Sequence, residues 1–317
     1  MNIAVNAAPT WRDTLGNEMV TVMDGGMGRE LIRRGVALRS GLWSAKALID
    51  APRVVVEVHR DFIAAGARII TTNSYSCVPS YLGKTGEAHR FAELAGLSSQ
   101  IAREAADGSA EPVLVAGSLP PLDESYRPDL VIDDSEARPI YAALAQALQP
   151  HADLFLCETM SCIRESRNAA EAAVAAGAVR GLPVYVSWTL NEEPGTGLRS
   201  GESIRDAHAA LADLPLAGFL FNCTHSDAIE AGIEQISQLT DLPTGGYPNR
   251  FNVPKGFTLD GEISVQGRAD FETEQFVRAT QRFIDRGASF VGGCCGISPE
   301  DIAALAEHLS RADTPEH

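Results

Sequence analysis

A chain of 317 residues with 45% hydrophobic content can bury a large core and lies within the size of one barrel domain. Its formal charge of −16 repels phosphate backbones and anionic lipid, which argues against nucleic acid and membrane surfaces as partners. No run approaches the roughly 18 apolar residues of a membrane span, and MNIAVNAAPTWRD has neither the basic start nor the apolar stretch of a secretory signal.

The expected location is therefore cytoplasmic, where six cysteines serve metal binding, catalysis or packing rather than disulfides. In chain order, strands are predicted at Met19–Gly26, Ala67–Tyr75, Pro112–Leu119, Ala152–Thr159, Pro183–Leu190, Ala217–Thr224, Leu242–Tyr247 and Ala288–Cys295. These runs are apolar almost throughout, as in strands covered on both faces. Helical patterns lie between them at Pro52–Ala65, Glu87–Ala106, Ser135–Leu148, Ile163–Ala176, Ser203–Leu211, Ser226–Leu239, Phe271–Arg286 and Pro299–Leu309. Ser298-Pro299-Glu300 supplies a cap, a first-turn proline and a first-turn acid.

Eight strand-then-helix units predict an α/β fold, a closed (β/α)8 barrel forming one domain over 1–317 with its core at about 19–310. A doubly wound open sheet is the alternative. It calls for a glycine fingerprint after the first strand, which Asp24-Gly25-Gly26-Met27-Gly28 matches poorly.

Barrel chemistry sits where strands end. Cys223 ends the sixth predicted strand, and Cys294 and Cys295 end the eighth inside Gly292-Gly293-Cys294-Cys295-Gly296. Three thiolates suit a soft ion such as Zn2+ and leave one tetrahedral position open, which suits a substrate thiol. Any one cysteine alone would read as a small buried hydrophobe. That reading is kept for Cys77, Cys157 and Cys162. His225 is either a fourth ligand, which would close the site, or a loop or cap residue.

The markers DGGMGREL at Asp24–Leu31, TTNSY at Thr71–Tyr75, CET at Cys157–Thr159, FNC at Phe221–Cys223 and GGCCG at Gly292–Gly296 resemble the homocysteine S-methyltransferase family along about Val20 to Leu309. The resemblance implies zinc held by Cys223, Cys294 and Cys295. It implies that Asp24 and Glu158 hold the amino acid part of homocysteine. Tyr75 matches a family tyrosine near the metal; its hydroxyl either occupies the open position or caps the core. Asn222 either orders its loop or touches substrate. The sequence departs from the family in lacking a proline after Glu158, and Ser118–Leu122 with Ser125–Asp129 replace a more glycine-rich loop expected to shape the donor pocket.

The implied partners are homocysteine and a small methyl donor, on a monomer or small homo-oligomer. A cationic donor, S-methylmethionine or S-adenosylmethionine ahead of betaine or dimethylsulfoniopropionate, would lie against Tyr75, Trp43, Tyr126 or Trp188. A different thiol or a selenol acceptor is an alternative. Zinc hydrolysis would call for histidine and carboxylate ligands, and a structural or storage zinc protein for a fourth ligand.

Overall fold

The computed structural model describes residue 15 and residues 20–38, 42–253, 256–258 and 267–312. Eight parallel strands run β1 (Thr21–Val22), β2 (Ile69–Thr71), β3 (Leu114–Leu119), β4 (Leu154–Met160), β5 (Val184–Trp188), β6 (Gly218–Asn222), β7 (Thr244–Tyr247) and β8 (Ala288–Val291). Each pairs with its sequence neighbour from β2 to β8, and β8 pairs with β1. The remaining seam is a parallel bridge between Met23 and Ile69, where the Asp24 N–H donates to the Ile69 carbonyl at 3.0 Å. The strands therefore close into a (β/α)8 barrel.

Between β1 and β2 lie helices α1 (Met27–Arg33), α2 (Ala45–Asp50) and α3 (Pro52–Ala64). α4 (Pro79–Gly83) and α5 (Phe91–Asp107) follow β2. One helix follows each later strand: α6 (Asp134–Leu148), α7 (Ile163–Gly177), α8 (Ile204–Ala210), α9 (Ser226–Ile236), α10 (Thr273–Asp285) and α11 (Pro299–Ala312). The predicted long helices are present within a few residues. The short helices α1, α2 and α4 go beyond the sequence reading, because five to seven residues are too few to show a helical stripe. The first and last strands are shorter than predicted. Their glycine-bearing ends, Asp24–Gly26 and Gly292–Cys295, leave the sheet as loops.

Two cores explain the unbroken apolar runs. Leu114, Ala116, Leu154, Leu156, Tyr185, Leu220 and Phe290 fill the lumen, while Val115, Phe155 and Cys157 face the helical layer. Cys77 packs in the same outer layer. Cys162 caps α7, its sulfur accepting from the Glu165 N–H at 3.5 Å. Among the described residues no helix is long and apolar enough to cross a membrane.

Candidate active site

Above the lumen core, at the C-terminal ends of the strands, lies a cavity of about 220 Å³. Its floor comes from strand ends: Asp24 after β1, Thr71 on β2, Glu158 on β4, Cys223 after β6, Tyr247 on β7, and Cys294 and Cys295 after β8. The two glycine-bearing loops that carry much of this floor are zipped together. The Gly26 N–H donates to the Ile297 carbonyl at 2.8 Å, and the Gly293 N–H to the Asp24 carbonyl at 2.9 Å. A Cβ on Gly26 would sit 2.9 Å from the Gly296 nitrogen and 3.0 Å from the Cys294 oxygen, so only glycine permits this approach.

The sulfur of Cys223 lies 2.8 Å from that of Cys294 and 3.8 Å from that of Cys295, and the last two are 4.0 Å apart. All three cysteines are free and line the cavity. Thiolates at about 2.3 Å from a tetrahedral zinc stand about 3.8 Å apart. Two of the three spacings fit that edge, and the shortest would have to lengthen. Among the described residues these three form the one cluster with metal-ligand spacing. Burial pushes the Cys223 thiol up. Hydrogen bonding to Cys223 and Cys295 pushes Cys294 up, whereas Cys295 is held down as the acceptor from both neighbours, with a further contribution from the Arg29 charge.

The same cavity holds two buried carboxylates, Asp24 and Glu158, 6% and 7% exposed. Asp24 accepts from the Thr71 N–H at 2.8 Å and its hydroxyl at 3.1 Å. Glu158 accepts from the hydroxyls of Ser118 and Tyr247. Neither has a basic partner among the described residues. Burial raises Asp24 to about 8 and Glu158 to about 7, with each raised further by a neighbouring negative group.

Local backbone geometry aims these groups. The pairing of β4 with β5 shifts register between Cys157 and Met160, and Thr159 inside that bulge has φ +60°. The bulge lets Glu158 turn toward the cavity. Asn222 holds it in place: its side-chain oxygen accepts from the Thr159 N–H at 2.9 Å and from Ser187 Oγ at 2.7 Å, and its Nδ2 donates to Thr159 Oγ1 at 2.8 Å. Asn222 is fully buried and does not line the cavity, so the structure places it behind the site as an ordering residue. Cys223 follows with φ +54°. The other non-glycine residues with positive φ, Trp43 (+44°) and Tyr126 (+65°), also line the cavity, so unfavourable backbone is concentrated there.

The mouth is built from loops. Tyr126, Phe251, Phe257 and Trp43 line it, with the rings of Tyr126 and Phe257 5.9 Å apart and tilted. Tyr126, rather than Tyr75, reaches the thiols in this structure, its hydroxyl lying 2.9 Å from Cys223 Sγ. Tyr75 borders the cavity, with its hydroxyl 2.7 Å from Ser125 Oγ. Trp188 is fully buried in the outer core, stacked on Phe219 at 5.1 Å, and cannot meet a ligand. His225 is the N-cap of α9, accepting from the Asp227 N–H at 3.2 Å through Nδ1. Phe251, Phe257 and Arg29 escaped the sequence reading because they sit on irregular segments or a very short helix, where no periodicity marks them.

A profile described as homocysteine S-methyltransferase matches residues 21–309. The homocysteine S-methyltransferase of Escherichia coli K12 is 32% identical over 93% of this chain and 96% of its own. The selenocysteine Se-methyltransferase of Brassica oleracea var. italica is 30% identical over 91% of this chain and 88% of its own. Among solved structures, the homocysteine methyltransferase MmuM from Escherichia coli in metallated form matches with a TM-score of 0.79 at 30% identity, covering 94% of this chain and 99% of that one. The matching profile and these relatives make the chain a methyltransferase. This chain belongs to the homocysteine S-methyltransferase family.

Proposed function

We propose that the enzyme moves a methyl group from a small cationic donor to the sulfur of homocysteine, giving methionine. The observation that carries this reading is the pair of clusters in one cavity: three thiols within 4.0 Å of one another, and two buried carboxylates without a basic partner among the described residues. Cys223, Cys294 and Cys295 would hold zinc. Zinc bound there supplies Lewis acidity that keeps a further sulfur ionised near neutral pH.

The residues of the chain do the rest. Asp24 and Glu158 accept hydrogen bonds from the substrate ammonium, which restores their charge and fixes the amino acid end. Backbone N–H groups near the carboxylates would take the substrate carboxylate. Tyr126 and Phe257 present ring faces to a cationic methyl donor and help exclude water.

In the transfer, the acceptor thiol has already lost its proton to solvent. Its sulfur forms a bond to the methyl carbon as the bond from that carbon to the donor atom breaks. The electron pair of the broken bond stays on the donor atom, so a sulfonium leaves as a neutral thioether and needs no strong acid. Alignment of the two reactants supplies much of the rate. A sulfonium is the favoured donor because its leaving group is better than the amine released from betaine.

A structural-zinc reading calls for a fourth protein ligand. His225 faces its helix instead, and no other candidate joins the cluster among the described residues. The experiment is a donor panel of S-methylmethionine, S-adenosylmethionine, dimethylsulfoniopropionate and betaine, with zinc-loaded protein and homocysteine or selenocysteine as acceptor. The expected result is methionine from homocysteine with at least one sulfonium. Turnover with methyltetrahydrofolate and with no sulfonium would overturn the donor class.

A further inference from the structure

Helix α1 and the residue that ends it carry three arginines, and two of them are spent on ion pairs. Arg33 pairs with Glu30 at 3.2 Å and Glu300 at 2.9 Å, and Arg34 pairs with Asp61 and Glu57. Arg29 makes no ion pair or hydrogen bond among the described residues. It is exposed and borders the cavity beside Met27 and Gly28. It is also the one lysine or arginine among the described residues lining that cavity.

Charge in the cavity is therefore layered. Asp24 and Glu158 lie buried on its floor, whereas the Arg29 guanidinium is exposed at its solvent end. An amino acid acceptor anchored by its ammonium keeps its own carboxylate within about 3–4 Å of that nitrogen, because one carbon separates them. That carboxylate stays at the depth of the floor. The second substrate must point its methyl group down at the acceptor sulfur, so its far end lies at the mouth, where Arg29 stands.

We propose that Arg29 is a specificity residue that holds the carboxylate of a zwitterionic methyl donor, selecting onium compounds with an acidic tail over plain onium cations. A planar guanidinium suits a carboxylate in two-point contact. It also offsets the repulsion that an anionic tail meets from the thiols and from a chain of net charge −16. This inference rests on the methyl-transfer reading given above.

The test uses a matched pair of donors, dimethylsulfoniopropionate and ethyldimethylsulfonium, which share the cation and differ in the carboxylate. With zinc-loaded enzyme and saturating homocysteine, kcat/KM is measured for both. The wild type should favour the zwitterion, and Arg29→Gln should reduce that ratio by roughly two- to fivefold, the order expected for one exposed charged pair. Arg29→Lys should restore part of the ratio, while the KM for homocysteine stays within about twofold. Zinc content and thermal midpoint report whether the variants fold. A wild-type ratio near one, or a ratio unchanged in Arg29→Gln, overturns the assignment. A rise in homocysteine KM without a change in the donor ratio moves the carboxylate to the acceptor and also overturns it. If the wild type transfers methyl from neither donor nor from any member of the wider panel, the proposed function itself falls, which is a separate result.

Discussion

The floor of the cavity is carried by strand ends and bulges, and its mouth by loops and the start of a seven-residue helix. On the floor, Asp24, Glu158 and Cys223 are at most 7% exposed, and each has hydrogen-bonded partners. At the mouth, Trp43, Tyr126, Phe257 and Arg29 are partly or fully exposed. The floor asks for fixed geometry, since a soft ion and an ammonium tolerate little displacement. The mouth asks for shape and charge, which loops can vary without disturbing the barrel. On this comparison, substitutions in the floor should abolish binding or chemistry, while those at the mouth should shift preference.

The largest effect is expected at Cys294. Cys294→Ala should lose its zinc, and methionine formation should drop by about a thousandfold or more. Full zinc occupancy in the purified variant would remove Cys294 from the ligand set. Next come the carboxylates. Glu158→Gln and Asp24→Asn should keep zinc but raise the KM for homocysteine by on the order of thirtyfold, as when one partner of a buried charged pair is removed. Loss of metal with unchanged homocysteine affinity would reverse their roles.

The same two groups set a pH dependence. Both carboxyls are raised in the folded protein, so the ligand-free fold favours their protonated forms. Their contribution to stability is fully present below about pH 4 and is lost as pH rises through about 7 for Glu158 and 8 for Asp24. Homocysteine binding runs the opposite way. An ammonium pairs with the ionised carboxylates, so affinity should strengthen from pH 6 to 8. Calorimetric titration at several pH values checks the sign, and a flat profile in wild type would remove the carboxylates from the ammonium site.

The mouth should respond more gently. Phe257→Ala should raise the KM for a sulfonium donor by roughly two- to fivefold through loss of a cation–π face, with zinc and homocysteine affinity unchanged. His225→Ala is the smallest case. It should cost about 0.5–1 kcal/mol of stability through a lost helix cap, seen in a denaturant titration. Zinc loss in that variant would restore histidine to the ligand set.

The same division shows how much was legible in the sequence. Strands covered on both faces announce themselves as continuous apolar runs, and functional polar residues stand out where such a run stops. That is how Asp24, Glu158, Cys223, Cys294 and Cys295 were picked out, and all five line one cavity. The mouth has no such grammar. Phe251 and Phe257 lie in a segment without periodicity, and Arg29 resembles any surface arginine until it is seen to line the cavity without an ion pair among the described residues. Tyr75 and Tyr126 could not be ranked, because which hydroxyl reaches Cys223 depends on a loop turn at φ +65°. Trp188 reads as an exposed aromatic only if the stacking on Phe219 is unknown. Asn222 was placed at a strand end, but its direction, back toward Thr159, is a property of the bulge.

The zipped loops after β1 and β8 also bear on how the enzyme is made. Asp24 follows β1, and Cys294 and Cys295 follow β8, far along the chain, yet the Gly293 N–H bonds to the Asp24 carbonyl. The thiol trio therefore comes into being only when the last strand docks beside the first. Contacts between such distant parts of a chain form late and slowly. Metal uptake during refolding would mark the moment of closure, a clock for ring completion built into the active centre.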